Sequence, residues 1–324
     1  MVPFKRGISR NFVDRLNAEY EKGGWWKAIA DDRELIVAIR SEYINVYWKG
    51  NSLLKLRLNG GDLIGEIHYK YLLRPDFEQP YVKVTGGQAK IDSAANQFID
   101  DISDLDRLKR AANPYAGDEK KGVHQIVMSN PNIVDVEIAF SAENKKSGAV
   151  TADRIDFSAL KLEPSGPEIV FYEAKIFGNK ELRANGANVP VLRQLGRYQD
   201  FLGSGQAGLI DSYRQVCGNL AALSGVSNRY APMLGMMKDI AESKCSLSIC
   251  PDVRLVIFGF DNDQRIGATW KVHCGKLRDA LGEKLLLKGA AKEFTTGISS
   301  SAGRTGSKKA MSFKSQPPIV RESP

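Results

Sequence analysis

Apolar and polar positions change rhythm several times along the chain, and each change predicts an element. Residues 10–30 carry a helical spacing that leads into Trp25 and Trp26. From Glu34 the period shortens to two. ELIVAIR, YINVYWKG, SLLKLRLNG and DLIGEIHYKYL read as strands, with Gly50-Asn51 and Asn59-Gly60-Gly61 as turns between them. Such a run predicts an antiparallel meander with one buried face, and a β-rich domain over 1–94. Tyr43, Tyr47 and Trp48 suit the core of that sheet, with a recognition surface as the alternative.

A second unit begins near residue 95. NQFIDDISDLDRLKRAAN predicts one helix, and Pro114 and Gly117 separate it from another over 118–129, which Pro131 ends. IVDVEIAF, ADRIDFSALKL and EIVFYEAKIF follow as strands rich in β-branched and aromatic residues. Pro164-Ser165-Gly166-Pro167 is a strong turn that sets the last two side by side. Helical spacing returns in VLRQLGRYQDFLG and GLIDSYRQVCGNLAAL. VRLVIFGF reads as a strand of the sheet interior, and HCGKLRDALGEKLLLKGAAKEF as a helical segment. This order predicts a mixed α/β (α+β) domain over 95–294, a central sheet flanked by helices. From 295 to 324 the chain is rich in Ser, Gly and Lys without apolar periodicity, which predicts a basic, disordered tail.

Composition narrows the function classes only a little. With 324 residues, 43% hydrophobic and 26% charged, the chain can bury a substantial core. No run approaches the roughly 20 apolar residues that span a bilayer, and MVPFKRGISRNF is not followed by an apolar stretch, so no membrane partner and a cytoplasmic location are expected. A net charge of +8 favours an anionic partner such as nucleic acid. Part of that charge lies in the tail, where Arg304, Lys308, Lys309, Lys314 and Arg321 face one acid, Glu322. Cys217, Cys245, Cys250 and Cys274 form no CxxC pair and read as reduced core thiols, a zinc or iron–sulfur site being the alternative. His68, His124 and His273 form no compact ligand pattern.

The strands hold the chemistry. Glu173 and Lys175 in EIVFYEAKIF are two apart and share a strand face, while Tyr172 and Ala174 share the other. The Pro/Gly turn can bring Asp156 of RIDFSAL beside Glu173. Two carboxylates then supply oxygen ligands for Mg²⁺ or Mn²⁺, with waters and a substrate phosphate completing the shell. Lys175 can position the attacking water or stabilise the transition state; action as a neutral base would require a lowered pKa. An ion pair between strands is the competing explanation. Further on, Gln194 and Tyr198 share a helix face, Gln194 suited to a nucleotide or an active-site water and Tyr198 to a phosphate or a base, with core support for Tyr198 and solvent exposure for Gln194 as the alternative. Arg193 and Arg197 form an adjoining stripe suited to phosphates. Lys180 and Arg183 lie in a loop or helix start that can do the same.

Ile155-Asp156, Glu173-Ala174-Lys175 and the Gln194–Tyr198 helix together resemble the restriction-endonuclease-like, or PD-(D/E)XK, nuclease superfamily, in the QxxxY branch that includes RecB and lambda exonuclease. The resemblance covers about residues 117–260 and leaves the N-terminal sheet unexplained. It implies a restriction-endonuclease-like mixed sheet and a Mg²⁺-dependent deoxyribonuclease, an endonuclease or exonuclease, acting in DNA processing or defence. Asp156, Glu173, Lys175, Gln194 and Tyr198 would be its catalytic residues. It also implies a further metal-facing acid on the preceding helix: Glu119, with Glu137 as the competing choice. A noncatalytic nucleic-acid-binding module on the same fold is the alternative, and the N-terminal meander offers a surface for a protein partner or a homodimer.

Overall fold

The computed structural model describes residues 4–72, 81–90, 99, 101–143, 150–186 and 188–297. Two helices, α1 (Arg10–Glu21) and α2 (Trp25–Asp31), lead into β1 (Ile36–Ile39), β2 (Ile44–Trp48), β3 (Asn51–Asn59), β4 (Asp62–His68), β5 (Tyr81–Thr85) and β6 (Gln88–Lys90). These six strands pair in sequence order, each antiparallel to the next, as the period of two and the Gly/Asn turns predict. The meander is longer than the sequence pattern indicates, because β5 and β6 are short and flank a Gly-Gly turn. Its boundary with the following unit, at 94/95, lies outside the described residues.

Next come α3 (Leu105–Ala112) and α4 (Asp118–Ser129), then β7 (Ile133–Glu143), β8 (Val150–Glu163) and β9 (Gly166–Ile176). The helices α5 (Pro190–Ser204), α6 (Gln206–Ala222) and α7 (Leu234–Ala241) precede β10 (Ser248–Phe258), α8 (Asn262–Ile266), α9 (Ala268–Leu281) and β11 (Leu285–Leu287). The second sheet has the order β11-β10-β9-β8-β7: the first three strands run parallel and β8 reverses direction on either side. The chain is therefore a mixed α/β protein with one antiparallel and one mixed sheet.

Both faces of the second sheet are covered. Ile126 and Val127 of α4 pack with Phe157, Tyr172, Ala174 and Val256 on one side. Leu195 and Tyr198 of α5 and Leu209, Val216 and Leu220 of α6 lie in the cluster on the other, with Phe171 and Leu255. That double coverage explains why VRLVIFGF is apolar on both faces: β10 is an interior strand, as its pattern predicts. The same cluster runs on through Ile44, Val46 and Leu54 of the meander to Phe12 and Leu16 of α1, so the two sheets share one core.

Three local expectations change. The helix predicted over 96–113 is shorter: Asp101 bridges to Gln88, and α3 begins only at Leu105, capped by the Asp104 side chain. The segment after His273 is not helical throughout. Gly282, at φ +54°, ends α9, and Leu285–Leu287 pair with Leu255–Ile257 as an edge strand. The packed chain also reaches two residues past the expected start of the tail: Thr296 is buried, its hydroxyl bonded to Asn130 and Asn132. Residues 298–324 lie outside the described residues.

Candidate active site

The β8–β9 ladder runs from Glu163 opposite Gly166 at the turn to Phe157 opposite Tyr172. Beyond Phe157 the register ends, and the Ala174 N–H donates instead to Asp156 Oδ2 at 2.7 Å. Asp156 thus sits where two paired strands part, its carboxylate satisfying a strand amide. β9 continues in parallel register with β10, Glu173 opposite Leu255 and Lys175 opposite Ile257, which holds both side chains in a rigid interior strand. Glu173 and Lys175 are buried, at 2% and 7% exposure. Lys175 Nζ donates to Glu173 Oε1 at 2.9 Å and to Glu181 Oε2 at 2.8 Å. The other Glu173 oxygen, Oε2, is buried with no hydrogen-bond partner.

Helix α4 supplies the next acid. Glu119, in its first turn, accepts hydrogen bonds at Oε2 from the Ile176 N–H (3.0 Å) and from Asn179 Nδ2 (2.8 Å). It therefore ties α4 to the end of β9. Gly122 permits this approach, since a Cβ there would fall 2.0 Å from the Phe258 ring. Glu137, the competing choice, stands on β7 at φ +50°, 3.4 Å from Arg154, and also adds negative charge beside Asp156. Glu119 adds its charge beside Glu173.

The electrostatics follow from that crowding. Burial, followed by the Glu173 charge, raises the Asp156 pKa well above the usual carboxylate range, against the opposing Ala174 N–H and Lys175. Burial likewise pushes Glu173 up to about 7; Lys175 resists the shift, while Glu119 and Glu181 add to it. For Lys175, burial alone would lower the pKa, but the charge and hydrogen bond of Glu173 and the bond to Glu181 outweigh it, and the net shift is upward. The raised pKa favours the ammonium form of Lys175, which supports an electrostatic role over that of a neutral base.

An orphaned buried carboxylate oxygen beside a second carboxylate of raised pKa fits a hard divalent cation, which would relieve both costs. The expected set of Glu119, Asp156 and Glu173 is not gathered, however: among the described residues no group of three or more His, Cys, Asp or Glu side chains could hold a metal ion. The donor pair that fits is Asp156 and Glu173, with Glu119 engaged in bracing the strand end. Mg²⁺ commonly binds through one or two carboxylates, with waters and substrate phosphates completing its shell.

The helix expected to handle nucleotides turns its tyrosine into the core. Gln194 Nε2 donates to Tyr198 Oη at 2.5 Å, and Tyr198 Oη donates to the Arg154 carbonyl at 2.5 Å. Tyr198 is fully buried, its ring edge-on to Phe140 at 5.5 Å, so it is closed to a base or a phosphate. The Gln194–Tyr198 pair instead anchors β8 two residues before Asp156. Gln194 Oε1 is buried without a partner, a second orphaned acceptor in this neighbourhood. Arg197 grips Asp153 at 2.8 and 3.0 Å, and both it and Arg193 are exposed. Lys180 is exposed, whereas the Arg183 guanidinium lies 4.8 Å from both the Phe177 and Trp270 rings and braces the loop.

Three residues that sequence reasoning passed over complete the site. Glu181 shares Lys175 with Glu173, Asn179 fixes Glu119, and Asp153 neutralises Arg197. Asn179 also accepts from the Glu181 N–H at 2.9 Å, so the Asn-x-Glu spacing after a strand end was the available signal. No protein-family model, curated protein or solved structure matches the chain.

Proposed function

We propose that this protein is a metal-dependent nuclease of the restriction-endonuclease-like type, hydrolysing phosphodiester bonds of nucleic acid, DNA by resemblance, with Asp156, Glu173 and Lys175 as its working residues. One observation carries the reading: two carboxylates of raised pKa, one with an unpartnered buried oxygen, lie beside a charged lysine at the point where β8 and β9 part. A resident Mg²⁺ or Mn²⁺ held by Asp156 and Glu173 would supply Lewis acidity toward the phosphoryl oxygen and activation of a water molecule. The Lys175 ammonium faces the place where negative charge grows in the transition state, in a buried setting where its field is little screened. Glu181 and Glu173 hold that ammonium at a fixed position. Gln194 and Tyr198 set the height of the β8 backbone before Asp156, and Glu119 and Asn179 do the same for the end of β9.

The reading is tested with linear, circular, single-stranded and RNA substrates, incubated with and without Mg²⁺ or Mn²⁺. Wild type is expected to cut in metal, and Asp156→Ala and Lys175→Ala each to lose at least roughly a hundredfold in rate, the usual effect of removing one electrostatic group from such a site. Folded Asp156→Ala and Lys175→Ala proteins that cut at the wild-type rate would sink the assignment. A second reading, a noncatalytic nucleic-acid-binding module, draws on the closed Lys175 pairing and the missing three-carboxylate cluster. It predicts binding without cleavage in any metal.

A further inference from the structure

An aromatic row outside the acidic site is built where β4 ends and β5 begins. The His68 ring lies 5.8 Å from Tyr81 and 4.7 Å from Tyr69, and Tyr71 stands 6.0 Å from Tyr115. His68 and Tyr71 join the two halves at 6.1 Å. Tyr71 is buried and forms the base of the row. Tyr81 and Tyr115, at 58% and 47% exposure, are two of the few large hydrophobic side chains that the described surface leaves open. Exposed rings cost apolar burial, so an open pair set on a rigid aromatic base invites an occupant with a flat apolar face.

The charges around the row are positive. Lys70 Nζ lies 4.8 Å from the Tyr115 ring centre and 5.0 Å from that of Tyr71. Burial and the nearby Lys120 ammonium both depress the Lys70 pKa, so two cations crowd each other. The stem of Lys120 lies over Gly50, where a Cβ would sit 2.9 Å from it, and Lys49 Nζ reaches Asn113 beside Tyr115 at 3.1 Å. A groove of about 580 Å³, with Lys49 and Arg110 in its wall, opens next to these residues. Among the described residues, Asp106 lines the groove, Asp118 is engaged by Lys121 at 3.4 Å, and Asp32 and Glu34 are taken by Lys109 of the groove wall at 2.7 and 2.8 Å.

We propose that this surface is a binding platform for single-stranded nucleic acid, with bases stacking on Tyr81 and Tyr115 and phosphates meeting Lys70 and Lys120. Stacking needs unpaired bases whose faces are free, and a duplex offers the rings only its edges and backbone. The first turn of α4 joins the platform to the acidic site: Lys120 extends toward the meander while its neighbour Glu119 holds the end of β9. A strand lying on the tyrosines would be delivered toward Asp156 and Glu173. That last step rests on the nuclease reading; the binding itself does not.

The test is fluorescence anisotropy of the full chain with a labelled 20-nucleotide oligothymidine and with a 20-base-pair duplex. EDTA is present throughout so that nothing is cut. Tighter binding of the strand than the duplex is expected. Tyr81→Ala/Tyr115→Ala should weaken strand binding roughly tenfold or more, in line with the loss of two stacked bases. Lys70→Gln/Lys120→Gln should lower the steepness of the salt dependence by about 0.7 per lysine. Because these side chains lie at the surface or along its edge, thermal melts are expected to match wild type, and only variants that do so are compared. Strand affinity unchanged in the tyrosine variant, equal affinity for the duplex, or no binding at all overturns the proposal. Tyrosine-dependent strand binding in a protein that cuts nothing in any metal upholds the platform and removes the nuclease reading.

Discussion

Glu173 and His124 are both buried titratable groups, and they pull stability in opposite directions with pH. Burial, with the Arg229 charge adding to it, lowers the His124 pKa from 6.5 to about 4; its Nδ1 accepts the Lys49 N–H at 3.2 Å. The unfolded chain therefore binds the extra proton first, and the stability contributed by neutral His124 is full above 6.5 and lost as pH falls toward 4. The shift corresponds to roughly 3 kcal/mol. His124→Gln is expected to flatten the stability curve in that window, as read by urea melts from pH 7 to 4. Glu173 is raised to about 7 from 4.5, so its contribution is full below 4.5 and lost as pH rises through 7. In metal-free buffer at pH 8, Glu173→Gln should melt a few degrees above wild type. Mg²⁺ should raise the melting temperature of wild type but not of Glu173→Gln. Equal melting of the two proteins with and without Mg²⁺ would show that the Glu173 carboxylate is neither strained nor a ligand.

At the level of elements, the site depends on how closely α4 approaches β10. Gly122 is the contact: a Cβ there would lie 2.0 and 2.4 Å from two Phe258 ring atoms. Alanine gains about 1 kcal/mol of helix propensity over glycine, but overpacking of this severity costs about 1–3 kcal/mol or more, so the clash wins. Gly122→Ala is expected to lower stability and to shift α4 away from the sheet. Glu119 would then be drawn off the Ile176 N–H, and cleavage should fall more than the melting temperature alone explains. A variant as stable and as active as wild type would show that α4 is not a fixed wall of the site. The termination of the β8–β9 ladder at Phe157 belongs to the same scale, since a ladder extended by one pair would place Asp156 in an ordinary strand position.

Across the whole molecule, the two sheets are locked by a buried charge cluster. Asp135 of β7, with a fully buried side chain, takes Arg40 Nη1 at 2.6 Å and Arg6 Nε at 3.2 Å. Arg40, just past β1, also donates to the Val136 carbonyl at 2.6 Å. Asp135→Ala would leave two guanidinium groups without their carboxylate in the core. The expected loss is about 3–5 kcal/mol, checked by chemical denaturation. Loss of under about 1 kcal/mol would mean that water or movement of the meander rescues the arginines. Because the core is continuous from α1 to α9, the aromatic row and the acidic site are expected to unfold together rather than in two steps.

Periodicity alone determined most of the elements: β1 to β4, the three strands from β7 to β9, the interior strand β10 and the helices α4, α5 and α6 follow from residues whose spacing forces one face inward, whereas β5, β6 and α7 carried no such signal. The Asp156, Glu173 and Lys175 grouping was legible for the same reason, because a two-residue side-chain period and a tight turn are local properties. Tertiary structure alone decided what the distant partners do. Tyr198 and Gln194 share a helix face, as their spacing requires, but only the packing of α5 shows that the tyrosine is closed in the core and bonded to the Arg154 carbonyl. The charge on Lys175 likewise depends on Glu181, and the role of Glu119 depends on Asn179 and the end of β9. The aromatic platform was invisible in the sequence. Its rings come from β4, the turn after it, β5 and the segment before α4, and no local spacing records that their edges meet.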